Sequence, residues 1–316
     1  MTDFTVAFNS TFLAVFKVFL VVLGAGILVR RGILSQAVVT GLSNATVNLF
    51  LPCMIFSMVI ETFHPEGIAL WWLPPIVAFV MPMVGLIAGA VLFLRELPEK
   101  KNMLALASMQ NAGYLVLPVG FALYPDQFDR FALYCFLFIF IFNIVLWSIG
   151  KKLVTDRAES NGWRGLVTPP LVANLTALTL ALSGARGAIP SVVLEAIDLV
   201  GQAAVPVATV VLGAILGGVT FRLRPYLWDA TRVVAVKLGL LPLITVLVVH
   251  AVGLDAADPL LARFLVLEAA AAPASGIVLQ VRTYGGDEQK VGSLMLVCYG
   301  TCLITMPFWL AVLEML

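Results

Sequence analysis

Ten apolar runs divide this chain, near residues 9–29, 37–60, 70–94, 102–124, 130–150, 169–185, 192–219, 230–252, 260–282 and 290–314. Crossing a bilayer takes about 20 mostly apolar residues, and nearly every run reaches that length. Such a chain cannot cover its apolar surface in water, because 61% of its 316 residues are hydrophobic and only 12% are charged. A soluble domain carries roughly 25% charged residues. Lipid accepts apolar side chains directly, provided each segment closes its own backbone hydrogen bonds, as helices do. The expected fold is an all-α membrane protein with ten transmembrane helices, surrounded by a lipid bilayer. The opening residues, Met1-Thr-Asp3-Phe-Thr5, carry an acid and no base. The first run therefore reads as a retained helix rather than a secretory signal.

Lysine and arginine fix the expected orientation. With the N-terminus outside, fourteen of them fall in cytoplasmic loops and three, Arg130, Arg186 and Arg263, in outer ones. Lys17 and Lys237 lie within spans. The bias predicts both termini outside, in a multi-pass protein of a bacterial inner membrane. The net charge of +1 comes with no basic tract, so nucleic acid is not an expected partner.

The chain also repeats itself weakly. Asn44, Asn48 and Pro52 match Asp198, Gln202 and Pro206 at a constant offset of 154. Pro82 and Pro242 are offset by 160, Tyr124 and Tyr284 by 160, and Trp147 and Trp309 by 162. A repeat of five spans contains an odd number of crossings, so its second copy must enter the membrane from the other side. The expected plan is a 5+5 inverted repeat, with residues 1–151 as the first half, 152–168 as a cytoplasmic linker and 169–316 as the second. Inverted repeats are an architecture of secondary transporters, which bind substrate near the midplane where paired helices are broken.

Spans four and nine have the composition of broken helices. The fourth carries Gln110, Asn111, Gly113, Tyr114 and Pro118; the ninth carries Pro273, Ser275, Gly276 and Gln280. Proline removes a donor and clashes with the preceding turn, and glycine lets the chain unwind. Two half-helices starting at one cavity would aim free N–H groups and partial positive charge at an anion such as a carboxylate. The competing reading is that these residues serve tight helix packing. Asn48 and Gln202, the polar members of the repeated pattern, complete the candidate substrate-binding set. Lys237 either supplies charge for an anion or snorkels to the cytoplasmic surface. Glu268 is either buried, where it could carry a proton, or solvated near the outer surface. Lys17 reads as structural. Cys53, Cys135, Cys298 and Cys302 read as core thiols, since no further ligands for a metal stand near them.

Several motifs resemble the auxin efflux carrier superfamily. Leu-Gly-x-Gly-x-Leu-x-Arg30-Arg31-Gly32-Ile-Leu, then Leu42-Ser43 and Val47-Asn48-Leu-x-Leu-Pro52, are similar to that family's opening. Asn111-x6-Pro118, Lys237-Leu-x3-Pro242, Ala272-Pro273, Tyr284-Gly-Gly-Asp287 and Pro307 resemble later spans. The resemblance implies crossed broken helices 4 and 9, as in the bile-acid carriers. It also implies a scaffold domain of helices 1, 2, 6 and 7, a transport domain of helices 3–5 and 8–10, an elevator-type movement, and a homodimer formed through the scaffold. Bacterial members of this size are associated with malonate, malate and related carboxylates, and plant members with auxin. The sequence departs from plant members in three ways. Gln110 replaces their proline, the third span has no ionisable residue, and their long cytoplasmic loop is absent.

The function expected is secondary transport of a small organic anion, with an auxin-like monocarboxylate exporter or a non-transporting membrane sensor as alternatives. No enzyme is expected, because the chain has no His-Glu-x-x-His, no paired aspartates within spans and only two histidines. No cofactor or metal is expected either. Proton coupling through Glu268 is favoured over sodium, which would want clustered oxygen ligands.

Overall fold

The computed structural model describes residues 3–64, 66–97, 99–154 and 167–316. Most of the expected linker 152–168, with Arg157 and Arg164, lies outside the described residues. The described residues are helical almost throughout, with no strand longer than a single bridge. In chain order the helices are α1 (Asp3–Arg30), α2 (Gln36–Thr62), α3 (Leu73–Leu92), α4a (Lys101–Ser108), α4b (Ala112–Leu123), α5 (Pro125–Val154), α6 (Pro169–Leu182), α7 (Ser191–Gly217), α8 (Arg224–Ala251), α9a (Pro259–Ala270), α9b (Gly276–Tyr284) and α10 (Glu288–Leu313). Among the described residues, seven of them are long and apolar enough to cross a membrane: α1, α2, α3, α5, α7, α8 and α10. The chain is an all-α membrane protein.

Prolines shape several of these helices in the same way. A proline inside a helix leaves the carbonyl four residues earlier without a donor and crowds it. A widened turn relieves that crowding, and such turns run from Thr46 to Phe50 before Pro52, from Ala112 to Val116 before Pro118, and from Ala235 to Leu240 before Pro242. The stranded carbonyl at Leu238, four residues before Pro242, accepts from the indole Nε1 of Trp309 at 2.7 Å.

Glycines bring two backbones together. A Cβ on Gly213 would sit 2.2 Å from the Val22 carbonyl oxygen, and one on Gly217 would sit 2.5 Å from the Gly26 Cα. Small residues of this kind are how helices approach closely in lipid, where no hydrophobic force pulls them together. Thus α1 is bound to the second half of α7, while α2 packs on α6 and on the first half of α7. Elsewhere α3 packs on α4a and α5, and α9a on α8 and α10. Rings of Phe131, Phe138 and Phe264 fill the core between α5 and α9a, with centroids 5.5 and 5.9 Å from Phe264.

Charges gather at the two ends of the bundle. At one end Arg232 meets Glu96 at 2.5 Å and Asp229 at 2.7 Å, Lys100 reaches Asp229 at 2.7 Å, and Lys290 lies 3.6 Å from it. Arg30 donates to the Gly217 carbonyl at the same end, hereafter the basic face. At the opposite face Arg130 meets Asp258 at 2.7 Å and Arg263 meets Glu314 at 2.5 Å. Between the two faces the helices are largely apolar, with Lys17, Asp198, Lys237 and Glu268 as exceptions.

Candidate functional site at the paired interruptions

Two helices stop in mid-course. After Ser108 the backbone becomes extended at Met109 (φ −92°, ψ 115°), and Asn111 caps the restarting helix α4b. After Ala270 it becomes extended at Ala271 (φ −67°, ψ 142°) and restarts at Gly276. An interruption frees backbone groups, which in lipid must find partners inside the protein. Here each interruption supplies the other. Gln110 and Pro273 form an antiparallel bridge, with Asn111 N donating to the Ala272 carbonyl at 2.9 Å and Ala274 N to the Met109 carbonyl at 3.0 Å.

Side chains complete the closure. Asn111 accepts the Tyr114 N–H at 3.1 Å through Oδ1, the N-cap role that asparagine fills well. Its Nδ2 donates to the Tyr299 hydroxyl, which in turn donates to the Pro273 carbonyl at 3.0 Å. Asn111 therefore holds the site's geometry as well as facing its cavity. Tyr299, in the middle of α10, was not among the residues singled out from the sequence. The signal available was a hydroxyl-bearing ring in the middle of a largely apolar span.

The two restarting helices open on a cavity of ≈170 Å³. Gln110, Asn111, Gly113 and Tyr114 line it from one interruption, and Ala274, Ser275 and Gly276 from the other. Opposite them stand Ser43, Val47 and Leu51 of α2, Phe136, Phe142, Asn143 and Trp147 of α5, and Thr168 and Pro170 at the start of α6. The lining is mostly apolar and includes no lysine, arginine, histidine or carboxylate. The first N–H groups of a helix have no partner within it and carry partial positive charge. Two helix N-termini thus border the cavity, with the Tyr114, Ile277 and Val278 N–H groups already engaged by Asn111 Oδ1 and by the Ala274 and Ser275 carbonyls. Among the described residues, Gln110 Oε1, Ser275 Oγ and Gln280 Oε1 are buried without a hydrogen-bond partner.

The remaining candidates are placed unevenly. Gln280 is buried and donates to the Leu146 carbonyl at 3.1 Å, tying α9b to the wide turn of α5. Asn48 is not brought to the cavity; it is exposed and donates to the Asn44 carbonyl at 2.8 Å. Gln202 is also apart, in a different chamber, donating to Asp198 at 2.8 Å. Equal positions in a repeated pattern do not bring these two amides to one place.

Lys237 does not snorkel. It is fully buried, and its Nζ donates to the Ala269 carbonyl at 3.0 Å. Cys302 donates to the Ala270 carbonyl at 3.4 Å. Both carbonyls belong to the last turn of α9a, whose partners were lost at the interruption. A cation at a helix C-terminus is favoured by the dipole, so Lys237 caps the stump of α9a from behind. Glu268 is likewise fully buried rather than solvated, and both its oxygens lack a hydrogen-bond partner among the described residues. The four cysteines are free thiols, three of them buried.

Largely apolar rods, charges gathered mainly at the two faces and two mutually closed interruptions beside a cavity define a polytopic helical membrane protein. The family model described as membrane transport protein matches residues 10–164 and 158–310, nearly the whole chain. The chain belongs to that family, the auxin efflux carrier superfamily, whose members are transporters and not enzymes. It is 26% identical over 176 residues to Protein PIN-LIKES 1 of Arabidopsis thaliana, a stretch covering 52% of this chain and 37% of the plant protein.

Proposed function

We propose that this membrane transporter is a secondary carrier of a small organic anion, which it binds by a carboxylate at the paired interruptions. The observation that carries this reading is that α4b and α9b both begin at one cavity while their broken ends satisfy each other. Helix N-termini suit an anion without any fixed cation.

The reading includes ten transmembrane helices: the seven intact ones, the 14-residue α6, and the interrupted α4 and α9 pairs. It takes them as a 5+5 inverted repeat with the interruptions crossing near the midplane, in a bacterial inner membrane with the basic face cytoplasmic. A scaffold of α1, α2, α6 and α7 is supported by the backbone contact between α1 and α7. A transport unit of the other helices is supported by the charge network joining the α3–α4a connection to α8 and α10. Elevator-type sliding of one unit against the other, in a homodimer joined by the scaffold, completes the mechanism.

Malonate- or malate-type dicarboxylates are the first substrate reading. A monocarboxylate with an apolar body is the second, and the cavity wall favours it, since no charged side chain waits there for another carboxylate. Import of an anion against a negative interior costs ~2.3 kcal/mol per charge per 100 mV, so uptake calls for coupling. Glu268, buried with unpartnered oxygens beside the α9 interruption, is the proton carrier in this reading. Glu268→Gln should then abolish the pH dependence of uptake into proteoliposomes; an unchanged pH profile rejects the coupling.

The deciding experiment is a thermal-shift screen of the purified protein against mono- and dicarboxylates, at two pH values and with and without sodium. A ligand that binds the folded state raises the melting temperature by mass action. Absence of any shift, together with absence of carboxylate flux in proteoliposomes, would overturn the reading.

A further inference from the structure

A second cavity is larger than the one at the interruptions. A chamber of ≈730 Å³ lies between α1, α2 and α7 on one side and α4b and the start of α5 on the other. Its polar lining is Lys17, Glu61, Asp129, Asp198, Gln202 and Thr209. Glu61 is next to the last residue of α2, and Asp129 lies in the first turn of the α5 α-helix, so both stand at the rim toward the opposite face. Lys17 stands much deeper. It is fourteen residues into α1, which at 1.5 Å per residue is ~21 Å from the start of that helix. The interruption in α4 is twelve residues from the end of α4b, or ~18 Å by the same rise. Phe19, two residues further along α1, has its ring 6.5 Å from that of Tyr299, the partner of Asn111, so this stretch of α1 lies at the depth of the interruptions.

Lys17 has no ion pair or hydrogen bond among the described residues, and it is exposed to the chamber rather than packed. Asp198, the deepest of the three carboxylates, is already engaged by the Ser57 hydroxyl at 3.2 Å and by Gln202 at 2.8 Å. A lysine at the centre of a span costs ~2.5–3.5 kcal/mol on insertion scales, so it calls for a function or a partner. Pro118, Phe121 and Ala122 continue the chamber along the flank of α4b, the helix whose first turn lines the smaller cavity.

We propose that the chamber is a second station for the transported carboxylate, with Lys17 as its cationic ligand and Glu61 and Asp129 as an acidic rim that keeps it weak. The proposal rests on the anion-transport reading above. A single ammonium facing three carboxylates gives the chamber a net negative lining, so an anion is held at Lys17 only briefly and is not concentrated from the medium beyond the rim. The two stations differ in kind. The interruptions bind by helix N-termini and exclude charged side chains, while the chamber binds by one lysine in a wider, more polar space.

The test uses the full chain in oriented proteoliposomes, with labelled malonate and labelled benzoate as probes. Half-saturating concentrations are measured with the probe on the Glu61 side and on the basic side. Lys17→Gln should raise the ratio of the Glu61-side to the basic-side value about ten-fold, the worth of one charge-assisted hydrogen bond, and Lys17→Arg should restore it. The double change Glu61→Gln with Asp129→Asn should lower the same ratio, and it serves as the test should Lys17→Gln not fold. An unchanged ratio in these variants, or equal changes on both sides, overturns the second station and leaves the site at the interruptions standing. A wild-type protein that moves neither probe overturns both.

Discussion

Replacing Asn111 by alanine removes two hydrogen bonds that hold the interruption in α4 open. The first is the cap on the Tyr114 N–H, worth about 1 kcal/mol. The second is the bond from Nδ2 to the Tyr299 hydroxyl, a buried contact whose loss costs about 1–2 kcal/mol because its partner is left without a donor. The expected loss is thus about 2–3 kcal/mol of stability, together with loss of transport. Tyr299→Phe should cost about 1–3 kcal/mol by stranding Asn111 Nδ2 and the Pro273 carbonyl. The two changes share one hydrogen bond, so the double variant should be less destabilised than the sum of the singles by about 1 kcal/mol. The assay is equilibrium unfolding of the purified protein in mixed detergent, followed by circular dichroism, for the wild type, both single variants and the double. Asn111→Ala within about 0.5 kcal/mol of wild type, or costs that simply add, would refute the shared closure.

Gly213→Ala should destabilise by about 1–3 kcal/mol in the same assay, because its Cβ would stand 2.2 Å from the Val22 carbonyl oxygen and two backbones must separate; an unchanged midpoint would show that α1 and α7 are not in register as described. At the basic face, hydrogen bonds from Arg232 and then Lys100 hold the Glu96 carboxyl at about 2, against an ordinary 4.5. A lowered value stabilises the folded state fully above pH 4.5, and that contribution is lost as the pH falls toward 2. Glu96→Gln should therefore flatten the decline in melting temperature between those values, and salt should mimic it in the wild type because the group is partly exposed.

Much of this architecture was legible in residue types. Apolar length marked the rods, and Pro273 with Gly276, and Asn111 with Gly113, marked where two of them stop, because those residues act on their own backbone. What failed to be legible depends on partners far away in the chain. Tyr299 meets Asn111 across 188 residues, and no local pattern announces that contact. Lys237 illustrates the same limit. Its position in the span allowed snorkelling, and its direction was decided by a carbonyl of α9a that only the interruption leaves free. Asn48 and Gln202 share a pattern but face different surroundings, since one helix presents that position outward and the other presents it to the large chamber. The widened turns before Pro52, Pro118 and Pro242 were implicit in the proline chemistry, although which acceptor would be rescued, as Leu238 is by Trp309, was not.

Substrate choice should be set by the cavity wall rather than by the interruptions, because backbone N–H groups recognise any carboxylate alike. Val47, Leu51, Phe136, Phe142 and Trp147 form the apolar wall of the cavity. Each methylene buried there is worth about 0.8 kcal/mol, or about four-fold in affinity. In a series from acetate through butyrate to hexanoate, the melting-temperature shift at fixed ligand concentration should grow with each step until ≈170 Å³ is filled. Malonate should be weaker than butyrate, because its far carboxylate would lose its hydration against apolar carbon with no cation to meet it. The opposite order, malonate above butyrate, would mean that a charged group outside this lining takes the second carboxylate. It would support the dicarboxylate reading, with Lys17, unpaired among the described residues, as the cation to test by substitution.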